Sequence, residues 1–231
     1  MTLLNISPFA ISRWGAFFNH FELFFKGFLY TLGISFGALL LALILGILSG
    51  GLSTSKSKVG KLISRIYVEV FQNTPLLVQM VFVYYGLAII SNGHVMISAF
   101  FTAVLCVGLY HGAYISEVIR SGIEAVPKGQ TEAALAQGFT ANQTMQLIIL
   151  PQAVRTILPP MTNQVVNLIK NTSTVAIISG ADIMFVAKAW AYDTTNYIPA
   201  FTGAAIFYFV ICFPLASWAR KQEELNKKTY S

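Results

Sequence analysis

The chain has 231 residues, of which 55% are hydrophobic and only 10% are charged, and its formal net charge is +6. Ordinary soluble domains carry about 25% charged residues, because charge must cover the surface that water contacts. The composition therefore excludes a cytosolic enzyme, a secreted disulfide-bonded domain and a disordered chain, and it indicates an integral membrane protein.

Five membrane-spanning helices are predicted. A helix needs about 20 apolar residues to cross the hydrocarbon core of a bilayer. Runs with few or no charges reach that length, and the alternation typical of a membrane β-barrel is absent from the sequence. We therefore expect an all-α membrane protein with one transmembrane domain over 1–231. The predicted spans are 27–52, about 64–90, about 95–120, about 157–174 and 194–219.

The N-terminal part of the chain has two further features. Residues 7–20 are rich in aromatic side chains, which predicts a short helix lying in the membrane interface. The first span contains two pairs of glycines spaced four residues apart, Gly33 with Gly37 and Gly46 with Gly50. Such pairs permit close approach of two helices, although glycine is also simply frequent in membrane helices.

The lysines and arginines outside the spans predict the orientation of the chain. Eleven of them fall in the loops after the first and third spans and in the C-terminal tail, whereas three fall on the opposite side. Because basic residues concentrate on the cytoplasmic side, we expect the N-terminus outside and the C-terminus in the cytoplasm. The same clustering accounts for the positive charge without a nucleic-acid partner.

The segment 121–155, between the third and fourth spans, is long and mostly polar. Loops of that length in a compact protein usually have a function. Strong helix formers at 131–137 predict a short helix, Gly138 is expected to end it, and a second helix should start near Asn142 or Gln143. We expect an exposed, amphipathic helix held at both ends on the cytoplasmic side.

The spacing of residues in this segment resembles the EAA loop of permease subunits in bacterial ABC importers. Every signature position is matched: Glu132-Ala133-Ala134, Gly138, Ile148 and Leu150-Pro151. Further stretches narrow the resemblance to the polar amino-acid branch, of the histidine/glutamine type. These stretches are 73–79, 113–120, 151–153 and 158–160.

The resemblance implies a five-helix, type I importer fold in the bacterial cytoplasmic membrane. It implies that Glu132, Ala133, Ala134 and Gly138 couple the chain to an ATPase. The implied partners are a second permease, identical or paralogous, two copies of a cytoplasmic ATPase, and an external substrate-binding protein. The sequence lacks the phosphate-binding pattern G-x-x-x-x-G-K-[ST]. We therefore expect no enzyme activity and no cofactor in this chain, with ATP and magnesium on the ATPase.

The fourth predicted span is the most polar one. Polar groups at membrane depth are candidates for function because burying them in lipid is costly. We predict that this span contacts the substrate. Two alternatives remain: Lys170 extends its side chain to the membrane interface, or the polar residues of this span pack against a partner permease. Gln79 in the second span either lines the pathway or forms a hydrogen bond between helices. The predicted substrate-binding residues are Gln164, Asn167, Lys170, Asn171 and Thr172.

The substrate class is predicted from the charges of these residues. Some relatives that carry basic amino acids resemble this chain but have a glutamate where Gln164 stands. With no acid at Gln164 or Asn171, a cationic side chain would lack an anionic partner. We expect a neutral or acidic amino acid, such as glutamine or glutamate. An alternative substrate for the same class of permease is another small polar solute. An alternative class of protein is an ion-coupled secondary carrier, which would need acidic residues at mid-membrane depth.

The remaining ionisable residues do not predict a catalytic or metal site. The three histidines are scattered along the sequence, so no metal site is proposed. Glu69 and Glu117 are interpreted as structural ion pairs with Arg65 and Arg120, rather than as a proton relay. Residues 175–193 fit neither the pattern of a membrane span nor that of a polar loop. We expect them to form either an outer gate that docks the binding protein or an external loop.

Overall fold

The computed structural model describes residue 7 and residues 9–230. Every regular element in that part of the chain is a helix. Three helices are long and apolar enough to cross a membrane, and two interrupted pairs raise the number to five if each pair forms one span. The helices are α1 (Ile11–Asn19), α2 (Phe21–Thr54), α3 (Lys58–Gln72), α4 (Leu76–Ile90), α5 (Ala99–Glu124), α6 (Lys128–Ala136), α7 (Ala141–Ile178), α8 (Ile183–Thr194) and α9 (Tyr197–Tyr230).

The second span, predicted over about 64–90, is not one helix. α3 ends at Gln72 and α4 begins only at Leu76. Pro75 restricts the preceding residue to non-helical conformations and has no N–H to donate, so the helix stops before it. The side chain of Asn73 closes the end of α3 by donating to the Glu69 carbonyl at 2.8 Å. Hydropathy alone missed this break because the residues on either side of it are apolar.

The fourth span begins earlier than predicted. Helical structure starts at Ala141 rather than near 157, because the second helix of segment 121–155 continues directly into the span as α7. α7 keeps Pro159 and Pro160 inside it, and membrane helices tolerate proline where other groups satisfy the freed carbonyls. It contains a π-helical turn over Thr144–Ile149 and ends in a 3₁₀ stretch.

The described residues divide into two compact units, which we name unit one and unit two. Several helices contribute to both, since α2 begins in unit one and ends in unit two. Unit one comprises Met1–Ala38, Leu76–Val107 and Leu168–Phe213, as far as these ranges are described. Unit two comprises Leu39–Pro75, Gly108–Asn167 and the described part of Pro214–Ser231.

Unit two is packed through small residues of α2. A side chain at Gly46 would collide with Ile115, and one at Gly50 would lie 2.9 Å from the Cβ atom of Ile119. The close helix approach predicted for this glycine pair is therefore confirmed. Beside it, a buried chain of hydroxyls joins three helices: Ser116 donates to Ser49 at 2.9 Å, and the Oγ atoms of Ser49 and Ser64 lie 2.8 Å apart.

Unit one contains an aromatic core that holds α1 in place. The buried ring of Phe17 lies 4.7 Å from the ring of Phe24 and 6.3 Å from the ring of Trp190, centroid to centroid. Arg13 donates to the Thr195 carbonyl at 2.8 Å and to Oδ1 of Asn196 at 2.9 Å. α1 is thus a docked helix; its predicted position in the membrane interface stays a prediction, and residue 8 of the predicted 7–20 segment lies outside the described residues.

Replacing Phe17 by alanine should lower the stability of the protein by about 3–5 kcal/mol, since it empties a buried aromatic site. Thermal unfolding of the detergent-solubilised protein measures this change. Phe18 is the matched control because it is adjacent but 66% exposed, so Phe18→Ala should cost much less. Equal unfolding temperatures for the two variants would contradict the docking of α1 through Phe17.

Candidate functional site

The short helix predicted at 131–137, within the segment 121–155, is present as α6. It follows Pro127 and covers Lys128–Ala136. Gly138 has φ +87°, a left-handed conformation that glycine adopts without strain, and the helix ends there. The next helix starts with a capping box, in which Thr140 and Gln143 each accept a hydrogen bond from the other's backbone N–H. Local sequence signals therefore hold α6 at both ends.

α6 has one side against its own chain and one side exposed. Ala134 is buried, and α6 packs against the π-helical turn Thr144–Ile149. Glu132 and Ala133 are exposed. Ala134 thus fixes α6 on unit two. That Ala134 contacts an ATPase stays a prediction. The exposed side presents one carboxylate beside a small residue, which suits a helix that enters a groove on another protein.

A cavity in unit two contains one of the predicted substrate residues. It has a volume of about 440 Å³, large enough for a single amino acid, and Gln164 lies in its wall. The other polar groups of the wall come from α3 and α5 as well as α7. The lining residues are Gln72, Tyr114, Glu117, Val118, Ser121, Gly122, Thr156, Pro160 and Gln164.

The charges beside this cavity are compensated. Glu117 and Arg120 form an ion pair at 2.6 Å, and Arg120 also reaches Glu124 at 2.6 Å. The ion pairs predicted for Glu117 and for Glu69, which meets Arg65 at 3.3 Å, are therefore confirmed. The cavity wall presents no acid other than Glu117 among the described residues. A ligand in this cavity meets amides, hydroxyls and one neutralised carboxylate.

Gln164 is held by a buried histidine. His111 is 2% exposed and forms a side-chain hydrogen bond with Gln164. Its burial makes His111 a packing group of unit two. Its bond to Gln164 adds a second role, because it restrains the orientation of the amide that faces the cavity.

The other predicted pathway residues lie elsewhere. Asn167 is an exposed residue of unit two, and it does not line the cavity. In unit one, Lys170 is exposed and Gln79 is half-buried. Thr172 is fully buried, and its hydroxyl donates to the Ile169 carbonyl at 2.7 Å, so it packs inside unit one. Asn171 is half-buried in the same unit.

Sequence reasoning missed two members of the cavity wall, Gln72 and Tyr114. Gln72 donates to the Ala113 carbonyl at 3.2 Å, and the Tyr114 hydroxyl lies 3.2 Å from that of Tyr110. Tyr114 belongs to the stretch 113–120, which marked the family resemblance without assigning a role to single residues. Gln72 directly precedes the helix break before Pro75. A polar amide beside a helix break within an apolar segment could have identified Gln72 as a candidate for the cavity wall.

Comparisons with known proteins agree with this geometry. A family model described as "Binding-protein-dependent transport system inner membrane component" matches residues 42–224. The chain is 34% identical over 213 residues to a "Probable glutamine ABC transporter permease protein GlnM" of Bacillus subtilis (strain 168), covering 92% of this chain and 97% of that protein. It is 36% identical over 200 residues to a "Probable amino-acid ABC transporter permease protein PatM" of Vibrio harveyi, covering 85% and 89%.

Solved structures give the same result. The "Crystal structure of an amino acid ABC transporter with histidines" superimposes with a TM-score of 0.84 at 31% identity, covering 91% of this chain and 97% of that one. A chain of the MetNI methionine ABC transporter matches with a TM-score of 0.69 at 16% identity, covering 88% and 98%, and this likeness concerns the fold alone. The predicted fold and family are confirmed. The chain therefore belongs to the family of inner-membrane components of binding-protein-dependent transport systems, as a multi-pass permease subunit that transports a solute and is not itself catalytic.

Proposed function

We propose that this permease carries a polar amino acid with a neutral or acidic side chain, and that glutamine is the first candidate, with glutamate second. Two of the relatives compared above are named as permeases for glutamine or for amino acids. The cavity of unit two supports the same substrate class from its own chemistry.

The amide of Gln164 is the observation that carries the proposal. An amide both donates and accepts hydrogen bonds, so it can pair with another amide such as the side chain of glutamine. Glu117 already pairs with Arg120, which leaves no unpaired carboxylate in the cavity wall for a guanidinium or an ammonium side chain. A cationic substrate would lose its hydration without gaining a counter-charge. Neutral side chains are therefore preferred.

Lys170, in unit one, is proposed as a separate substrate contact. It is exposed and forms no ion pair with a described residue, so its ammonium can attract the α-carboxylate of an amino acid. Asn171 follows it and supplies an amide oxygen for the α-ammonium group. Gln79 and Asn167 are retained as weaker candidates for this pathway, whereas Thr172 is fully buried and its hydroxyl is already bonded within unit one.

The energy for transport comes from a separate ATPase in this proposal. Two copies of the ATPase bind to α6 and to its counterpart on a second permease, identical or paralogous, while an external binding protein delivers the amino acid. The orientation has the N-terminus outside and the C-terminus in the cytoplasm. Nucleotide shifts the equilibrium between two conformers only if it binds one of them more tightly than the other. In this proposal ATP binding favours the outward-open conformer, and hydrolysis restores the inward-open one. ATP and magnesium reside on the ATPase.

Uptake by the reconstituted complex tests this proposal. With the binding protein outside and ATP on the ATPase side, labelled glutamine should accumulate at least about tenfold faster than labelled arginine. A tenfold ratio corresponds to a difference of about 1.4 kcal/mol in free energy between the two substrates. Liposomes without the ATPase should accumulate neither. A preference for arginine would overturn the proposed substrate class, whereas uptake by this chain alone would overturn the coupling to an ATPase.

A further inference from the structure

α3 has three distinct faces along its 15 residues. One face packs into unit two through Gly60, the buried Ser64 and Tyr67, whose hydroxyl donates to the Leu109 carbonyl at 2.7 Å. A second face is charged: Lys61 and Arg65 line an open cavity of about 480 Å³. The third face is apolar and open. Its residues, each between 50% and 67% exposed, are Val59, Leu62, Ile63, Ile66 and Val70.

This helix is too short and too charged to cross a bilayer by itself. Fifteen residues extend about 22 Å, against the roughly 30 Å of the hydrocarbon core. Its start is fixed by Ser57, which accepts a hydrogen bond from the Gly60 N–H at 3.1 Å. A helix with an apolar stripe on one side and basic residues on another is suited to lie in the plane of the membrane interface. In that position the apolar stripe of α3 would contact acyl chains.

The start of α3 is strongly basic. Lys56, Lys58, Lys61 and Arg65 follow one another without an intervening acid, and the first acid after them is Glu69. Glu69 neutralises Arg65 at 3.3 Å. Lys56 and Lys58 are exposed at the end of the apolar stripe and form no ion pair with a described residue. With α3 in the interface, these two positive charges would stand at headgroup level beside the acyl chains.

We propose that α3 lies in the membrane interface and that Lys56 and Lys58 bind the headgroups of anionic phospholipids, so that the beginning of α3 is an anionic-lipid site. The apolar stripe gives contact with any lipid, and the two lysines give the preference for a negative headgroup. Each lysine near an anionic surface strengthens binding about fivefold, so the pair contributes about 25-fold.

Lipid retention tests the headgroup contact. The full chain is reconstituted with equal amounts of phosphatidylglycerol and phosphatidylcholine, and the lipids that remain bound are counted by native mass spectrometry. Wild type should retain phosphatidylglycerol preferentially, and Lys56→Gln/Lys58→Gln should reduce its affinity about 25-fold. The matched control is Lys26→Gln/Lys188→Gln, which removes the same charge from two exposed lysines on the side predicted to lie outside and should leave retention unchanged. Equal loss in both variants, or no loss in the first, overturns the proposal.

A second measurement identifies what covers the apolar stripe. Ile63→Cys is introduced in a chain whose two native cysteines, Cys106 and Cys212, are replaced by serine, and it is labelled with a fluorophore. Brominated lipids should quench that label in the assembled complex. A label that is protected from brominated lipid, or an Ile63→Cys chain that cross-links to a second permease or to the ATPase, would assign the stripe to a protein partner and overturn the lipid site.

Discussion

Replacing Glu132 by lysine is expected to weaken the association of this chain with its ATPase at least about thirtyfold and to abolish ATP-driven uptake. Glu132 is exposed on α6 and forms no ion pair with a described residue, so its carboxylate is available to a basic group of the partner. Removing one member of a buried, hydrogen-bonded charge pair at an interface costs about 2–5 kcal/mol, and 2 kcal/mol corresponds to thirtyfold. Co-purification of the ATPase and uptake by the complex measure the two effects.

The matched control is Glu22→Lys, which makes the same change of charge on a different helix, in unit one. Glu22 is exposed near the start of α2 and pairs with Lys26 at 2.7 Å, an exposed pair of the kind that contributes little to stability. We expect its complex to assemble and transport as wild type does. The Glu132→Lys chain should also keep its unfolding temperature, because Ala134 on the same helix remains buried. Normal uptake by the Glu132→Lys complex would refute coupling through α6.

The features that the sequence predicted well are those that depend on neighbouring residues. Gly138 ends α6 because its left-handed conformation is local, and the capping box of Thr140 with Gln143 starts the next helix three residues on. The pair of Glu117 with Arg120 was predictable for the same reason, since three residues along a helix place two side chains side by side.

The cavity could not be predicted in the same way, because tertiary packing creates it. Gln72, Tyr114 and Gln164 are distant in sequence and meet only because α3, α5 and α7 contribute to one cavity wall. On sequence alone, Gln164 groups with the polar residues that follow it in the fourth predicted span, yet Asn167 does not line this cavity. Periodicity gives the faces of one helix, but it does not say which face meets another helix.

Replacing Gln164 by glutamate should shift the substrate preference towards cationic amino acids. The new carboxylate would face the cavity of unit two, where Arg120 already neutralises Glu117, and it would supply the missing counter-charge for a guanidinium or an ammonium group. A hydrogen bond to a charged group contributes about 1.5–3 kcal/mol, so the ratio of arginine to glutamine uptake should rise about 10- to 150-fold. Competition between the two labelled amino acids in the reconstituted complex measures that ratio.

Asn163→Asp is the informative comparison, because Asn163 is exposed on the same helix, directly beside Gln164, and does not line the cavity. It introduces the same charge one residue away, about 100° around the helix. If the cavity is the substrate site, Asn163→Asp should leave the arginine-to-glutamine ratio close to that of wild type. A shift with Asn163→Asp and none with Gln164→Glu would instead place the pathway on the exposed face of α7, because an added carboxylate selects a cation only where the cation passes.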